Sequence, residues 1–73
     1  MVDMKYFGYN LRKNRKRRRL SQAEMGELLG VSQRLISGWE TGTRQPRWWS
    51  VAGIARALGV CMDELIAQPK ERV

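Results

Sequence analysis

The sequence predicts an all-α fold of five short helices. Three observations carry that expectation: apolar residues recur at three- and four-residue spacings, glycine and serine punctuate the chain between them, and 73 residues can enclose only a small core. A chain of this length buries about 60% of its unfolded surface, the scale of three to five helices. Residues 1–73 are therefore read as a single domain, ordered over about 6–67, with short tails at both ends.

The first helix is read over Tyr6 to Arg19, with Phe7 and Leu11 four residues apart on its inward stripe. Further along that stripe Asn14, Arg15 and Arg18 occupy inward places, while Arg12, Lys13, Lys16, Arg17 and Arg19 spread around the remaining surface. Seven basic residues among the eight from Arg12 to Arg19 cannot all meet one partner, so most are read as a solvated face. An inward arginine needs an acid. Arg15 is expected to pair with Glu40, at the edge of a later core stripe, and so to fix how the two helices cross.

The next two helices are better marked. Ser21-Gln22-Ala23-Glu24 places a hydroxyl at an N-cap and a carboxylate three residues on, so each can satisfy the other's free backbone donor. Met25, Leu28 and Leu29 continue as an apolar stripe until Gly30 supplies the left-handed residue that commonly ends a helix. Val31 plugs the corner, Ser32 caps a helix from Gln33 to about Thr41, and Gly42 ends it. At about 100° per residue, Leu35, Ile36 and Trp39 share an arc of roughly 100°, while Gln33, Arg34, Ser37, Gly38 and Thr41 fill the opposite arc of about 140°. The outward side chains are short or hydrogen-bonding, with one arginine. They suit a surface that enters a groove and meets base edges; taken alone, they also suit an ordinary wet helix face.

After the loop Thr43-Arg44-Gln45-Pro46, a fourth helix is read over Arg47 to Leu58, with Pro46 favouring its start. Trp48, Val51, Ile54, Ala55 and Leu58 form its inward stripe, and Gly59 closes it. A last short helix, Met62 to about Ala67, buries Met62, Leu65 and Ile66 and carries Asp63 and Glu64 in its first turn, where acids favour the helix dipole. Pro69 is read as the end of order, with Lys70 to Val73 as a tail.

Charge and composition narrow the function classes. Fourteen Lys and Arg against seven Asp and Glu leave a net +7, with nine basic and three acidic residues in 1–36 but five and four in 37–73. That excess implies a partner dense in negative charge. Cys61 is the only cysteine and there is no histidine, which excludes an internal disulfide and a Cys/His zinc cluster and leaves no base-and-nucleophile constellation for an enzyme. No cofactor or metal is expected. The reducing cytosol is the expected compartment. No apolar run approaches the roughly 18 residues of a membrane span and no signal-peptide order is seen, so no membrane partner is expected.

The run Leu20-Ser21-Gln22 through Gly30-Val31-Ser32, Ile36-Ser37, Trp39-Glu40, Gly42, Arg44 and Pro46, then Ala57-Leu58-Gly59-Val60 and Asp63-Glu64-Leu65, resembles the phage-repressor and Cro type of helix-turn-helix family, also called the xenobiotic-response-element (XRE) family. The resemblance covers about Phe7 to Ile66. It implies a five-helix fold of the lambda-repressor-like type, with Gln22 to Leu29 spanning the DNA backbone and Gln33 to Thr41 as the recognition helix in the major groove. Gln33 and Arg34 match the family's main base readers and Ser37 a further position on that face. Ser21, Gln22 and Ser32 lie at helix N-termini that attract phosphate, and Thr41, Thr43, Arg44 and Arg47 match phosphate-holding positions. In the family the residue at Gln22 also braces the first residue of the recognition helix.

The function so implied is sequence-specific double-stranded DNA binding by a transcriptional regulator, most simply a repressor occupying operator half-sites in a prokaryotic or phage cytoplasm. A homodimer, weak without DNA, is expected to meet through the fourth and fifth helices and to read half-sites about one DNA turn apart. An alternative is an antitoxin or other protein-interaction partner that uses the same fold, with Trp49 and the C-terminal tail as its contact. Non-specific RNA or membrane-surface binding by the arginine run is a third reading. Some residues depart from the family pattern: Gly38 stands where relatives place a long reader, Gly26 where they have alanine, Asn14 where they have an apolar residue, and Cys61 where a serine would cap the last helix. Trp48 falls on a family core position, whereas Trp49 is either a lid over the core or an anchor in a protein contact.

Overall fold

In the computed structural model, which describes residues 4–69, the helices are α1 (Phe7–Arg17), α2 (Gln22–Leu29), α3 (Gln33–Thr41), α4 (Trp48–Leu58) and α5 (Met62–Ile66). No strand occurs among the described residues. The expected tail, Lys70 to Val73, lies outside them.

Each helix is too short to persist alone in water, and a shared core compensates. Phe7 and Leu11 of α1, Met25 of α2, Ile36 of α3, Val51 of α4 and Leu65 of α5 are all fully enclosed. Trp39 completes the centre, with Phe7 meeting its ring edge-to-face at 5.7 Å and 87°. The crossing of α1 and α3 is closer than side chains would allow. A Cβ on Gly8 would fall on the carbonyl oxygen of Trp39 and lie 3.1 Å from that of Glu40, so the two backbones touch directly at this point.

The inward stripe of α1 continues past Phe7 and Leu11 as a polar seam. Asn10 and Asn14 are buried, and each finds partners: Asn10 Nδ2 donates to the carbonyls of Leu65 (3.0 Å) and Ala67 (2.9 Å), and Asn14 Nδ2 donates to Asn10 O at 2.9 Å. Arg18 donates to Asn14 Oδ1 and to the carbonyl of Leu58. The seam therefore supplies donors to the C-terminal ends of α4 and α5, where free carbonyls and a negative dipole end collect. An apolar residue at position 14 would leave those donors one acceptor short. Beyond the seam, Arg19 closes α1 in the left-handed region (φ +59°), with Leu20 N–H bonded to Arg15 O and Arg19 N–H to Lys16 O, a Schellman turn built without glycine.

Three expectations are corrected here. Leu28 is 48% exposed and leaves the stripe of α2, because the buried face of the helix is centred on Met25 and Gly26, whose absent Cβ would lie 2.6 Å from Val31 O in the turn that leads into α3. Trp48 is 59% exposed, not in the core. It is the first residue of α4 and stands about 70° round from the centre of the Val51, Ile54, Ala55 and Leu58 stripe, so the periodicity admits it only at the rim. Gly38, read as part of the outward face of α3, is buried. Elsewhere the local signals hold: Gly30, Gly42 and Gly59 end their helices at φ +73°, +85° and +70°, and Cys61 makes no capping hydrogen bond at the start of α5.

Candidate nucleic-acid interface

The geometry of α2 and α3 follows from their caps. Ser21 Oγ accepts from Glu24 N–H at 3.0 Å while Glu24 Oε1 accepts from Ser21 N–H at 2.8 Å. Gly30 then reverses the chain, Val31 N–H returns to Gly26 O at 2.9 Å, and Ser32 Oγ accepts from Leu35 N–H at 3.1 Å. Both serine oxygens thus serve the backbone as acceptors. Each hydroxyl proton is left over for an outside acceptor.

With Ile36 and Trp39 turned into the core, α3 presents Gln33, Arg34 and Thr41 exposed and Ser37 half-buried. Together with Gln22, Ser32, Gly38, Thr43 and Arg44 these residues line one open concavity. The structure thus brings together on one face every residue singled out for base readout and most of those singled out for phosphate. Arg47 and Trp49 stand apart from that concavity, at the start of α4, where the Arg47 guanidinium lies over the Trp49 ring at 5.4 Å. Trp48 meets Trp49 edge-on at 5.9 Å, and both are exposed.

The hydroxyls of Thr41 and Thr43 are engaged internally. Thr41 Oγ1 donates to Ser37 O (3.0 Å) or Gly38 O (3.3 Å), Thr43 Oγ1 donates to Gly38 O (3.3 Å), and the two oxygens are 3.2 Å apart. Each has one proton and already has a use for it, so their first role is to fasten the loop to α3.

The α3 scaffold is anchored from behind by Glu40. Arg15 reaches it in a two-pronged pair, Nε to Oε2 at 2.7 Å and Nη2 to Oε1 at 3.0 Å, and its third arm donates to Leu20 O at 2.9 Å. Both side chains are nearly enclosed, at 11% and 4% exposure. The hydrogen bond to Glu40 raises the Arg15 pKa above its ordinary value against the opposing effect of burial, with the charge of Glu40 adding to the rise. A raised folded-state pKa gives stability that is complete below the ordinary arginine value and is lost only as pH climbs through the still higher folded value. Arg15 therefore keeps its charge at any ordinary pH.

Gln22 differs from what the resemblance implied. Its amide Nε2 donates to Glu40 Oε1 at 3.2 Å, so the hydrogen bond it forms braces the anchor of α3 and not Gln33. Glu40 Oε1 accepts from Arg15 Nη2 and Gln22 Nε2 together, because a carboxylate oxygen has room for two donors. Sequence reasoning passed over Gly8 and Asn10. Gly8 sits mid-turn in a helix with no turn signal near it, a position where glycine is disfavoured unless backbones meet, and that cost was the available sign.

Among the described residues no group of His, Cys, Asp or Glu could hold a metal, and no helix is long and apolar enough to cross a membrane. A helix-turn-helix domain model matches residues 7–68. The chain is 33% identical over 60 residues to the HTH-type transcriptional regulator YqaE of Bacillus subtilis, covering 82% of this chain and 52% of that protein. It is 35% identical over 71 residues to the HTH-type regulator y4dJ of Sinorhizobium fredii, covering 96% and 92%. The chain thus spans about half of the Bacillus relative and nearly all of the Sinorhizobium one. Its fold matches the crystal structure of the P22 c2 repressor in complex with a synthetic operator, with a TM-score of 0.75 and 30% identity, covering 86% of this chain and 96% of the repressor chain. By the matched residues, the capped α2–turn–α3 unit and the five-helix fold, this chain belongs to the helix-turn-helix domain family, in its phage-repressor and XRE-type branch.

Proposed function

We propose that this chain is a sequence-specific double-stranded DNA-binding transcriptional regulator, a repressor that occupies operator half-sites with α3 in the major groove. One observation carries the reading. The outward side of α3 gathers Gln33, Arg34 and Ser37 in a single open concavity flanked by the N-terminal ends of two helices, and no described helix packs over it. Glutamine pairs bidentately with adenine and arginine with guanine, and helix N-termini with spare serine protons suit the adjoining phosphates. The repressor similar to this chain is described bound to operator DNA, which supports the same direction.

Random-site selection with the purified protein at stated salt tests it. A common half-site motif is the expected result; recovery of unrelated sequences with equal affinity would exclude base reading. Arg34→Ala is expected to relax preference at one base pair of each half-site, by about 1–3 kcal/mol of discrimination. Unchanged preference removes Arg34 from the readers. Arg47 has a different role, since its ring-stacked guanidinium leaves N–H edges free for a phosphate. Arg47→Ala is expected to weaken all sequences alike and to reduce the slope of log affinity against log salt by roughly 1. A loss confined to particular sequences would contradict that role.

The reader helix covers one half-site, so a homodimer is part of the proposal, with half-sites about one DNA turn apart. Trp49, with Trp48 beside it, supplies the apolar surface for that contact at the α4 end of the fold. The same exposed pair favours a second reading, in which a different protein docks there and DNA binding serves autoregulation. Sedimentation of the wild type and of Trp49→Ala, with and without operator, separates them: a dimer lost on substitution supports the first, whereas a monomer that co-purifies stoichiometrically with one partner supports the second.

A further inference from the structure

We propose that Arg44, delivered from the loop after α3, is a base-reading residue that takes the place of the side chain Gly38 lacks; the proposal rests on the DNA-binding reading above. Gly38 lies at the edge of the reader face, about 40° round the helix from Arg34, with no side chain to present. Arg44 fills that place from outside the helix. A Cβ built on Gly38 would lie 2.5 Å from Arg44 Cγ and 3.2 Å from Arg44 Cβ, so the stem of Arg44 crosses α3 through a slot that only glycine leaves open.

The crossing is held at its base. Arg44 N–H donates to Gly38 O at 3.1 Å, and the hydroxyls of Thr41 and Thr43 converge on the same carbonyl at 3.3 Å. Arg44 N–H and the Thr43 hydroxyl on one backbone oxygen, with the single Thr41 proton shared between it and the nearer Ser37 O, fix where the loop rides over the helix. The side chain that emerges lines the same concavity as Gln33, Arg34 and Ser37. Among the described residues no carboxylate pairs with its guanidinium, unlike those of Arg15 and Arg17. A guanidinium that lines this face on a stem lying against Gly38, with its backbone N–H tied to Gly38 O, offers the two-pronged donor fork that fits guanine O6 and N7. A phosphate contact asks only for charge at the helix edge and would not need the stem threaded over Gly38.

The test is competitive binding of wild type, Arg44→Ala, Arg44→Lys, Gly38→Ala and Arg34→Ala to a panel of duplexes that carry every single-base change in the selected half-site. Arg44→Ala is expected to lose about tenfold or more of discrimination at one base pair, distinct from the pair affected by Arg34→Ala. Arg44→Lys should lose the same preference while keeping the salt dependence, because lysine retains the charge without the fork. Gly38→Ala should reproduce the Arg44→Ala profile, because its methyl displaces the arginine stem. Thermal melts establish that each variant is folded.

A uniform loss across the panel in Arg44→Ala, with the wild-type order of duplexes intact, would overturn the proposal and make Arg44 a phosphate contact. Full discrimination in Arg44→Lys would overturn it as well. Loss of preference in Arg44→Ala but not in Gly38→Ala would overturn the placement through the slot. If wild-type protein ranks no duplex above another, base reading as a whole fails, an outcome the wild-type arm alone reveals.

Discussion

Glu40→Ala is expected to cost about 3–5 kcal/mol of unfolding free energy, the range for removing one member of an enclosed ion pair. The substitution leaves the Arg15 guanidinium with one of its three acceptors, Leu20 O, and strips Gln22 of its partner. For a domain of this size each kcal/mol moves the melting temperature by about 4–8 °C, so the loss should exceed roughly 12 °C and is read directly from thermal or urea melts. Because Glu40 joins α1 and α2 to the helix carrying the readers, operator affinity should fall with stability. Replacing both members with apolar residues of similar size, Arg15→Met with Glu40→Leu, should cost less than Glu40→Ala alone, because no charge is then buried without a partner. A Glu40→Ala protein within about 1 kcal/mol of wild type would mean that the pair behaves as a surface contact.

Gly8→Ala is expected to destabilise by about 3 kcal/mol, at the upper end for an added methyl in a packed site. The sign is informative, because alanine exceeds glycine in helix propensity by about 1 kcal/mol and would stabilise a free helix. Here the methyl meets backbone, the carbonyls of Trp39 and Glu40, which cannot turn aside as a side chain can. The matched control is Gly53→Ala on the exposed side of α4, where nothing lies within 4 Å and the propensity gain of about 1 kcal/mol should appear in full. Equal stability of Gly8→Ala and wild type in chemical denaturation would show that α1 and α3 can separate at little cost.

The contrast between these two glycines shows how far the chain can be read without its fold. Both are helical and both lack local turn signals, yet one marks a backbone contact and the other open solvent. Helical period likewise indicates which side of α4 turns inward, but not that Trp48 lies past the end of the core. On α2 it groups Leu28 with Met25, whereas the buried face is centred on Met25 and Gly26 and Leu28 faces water.

What the sequence determined by itself is the punctuation of the chain and the two-sidedness of α3. Caps at Ser21 and Ser32 and left-handed stops at Gly30, Gly42 and Gly59 act over three or four residues, so the neighbouring sequence suffices to specify them. The side of Gln33, Arg34 and Ser37 follows from the same periodicity that sends Ile36 and Trp39 inward. Only the tertiary structure decided that Gln22 bonds Glu40, that Asn10 serves carbonyls some 55 residues away, and that Arg44 lies over Gly38. These contacts join separate segments, and their geometry depends on where helices cross, which is set by the packing of the whole core and not by any local run of residues.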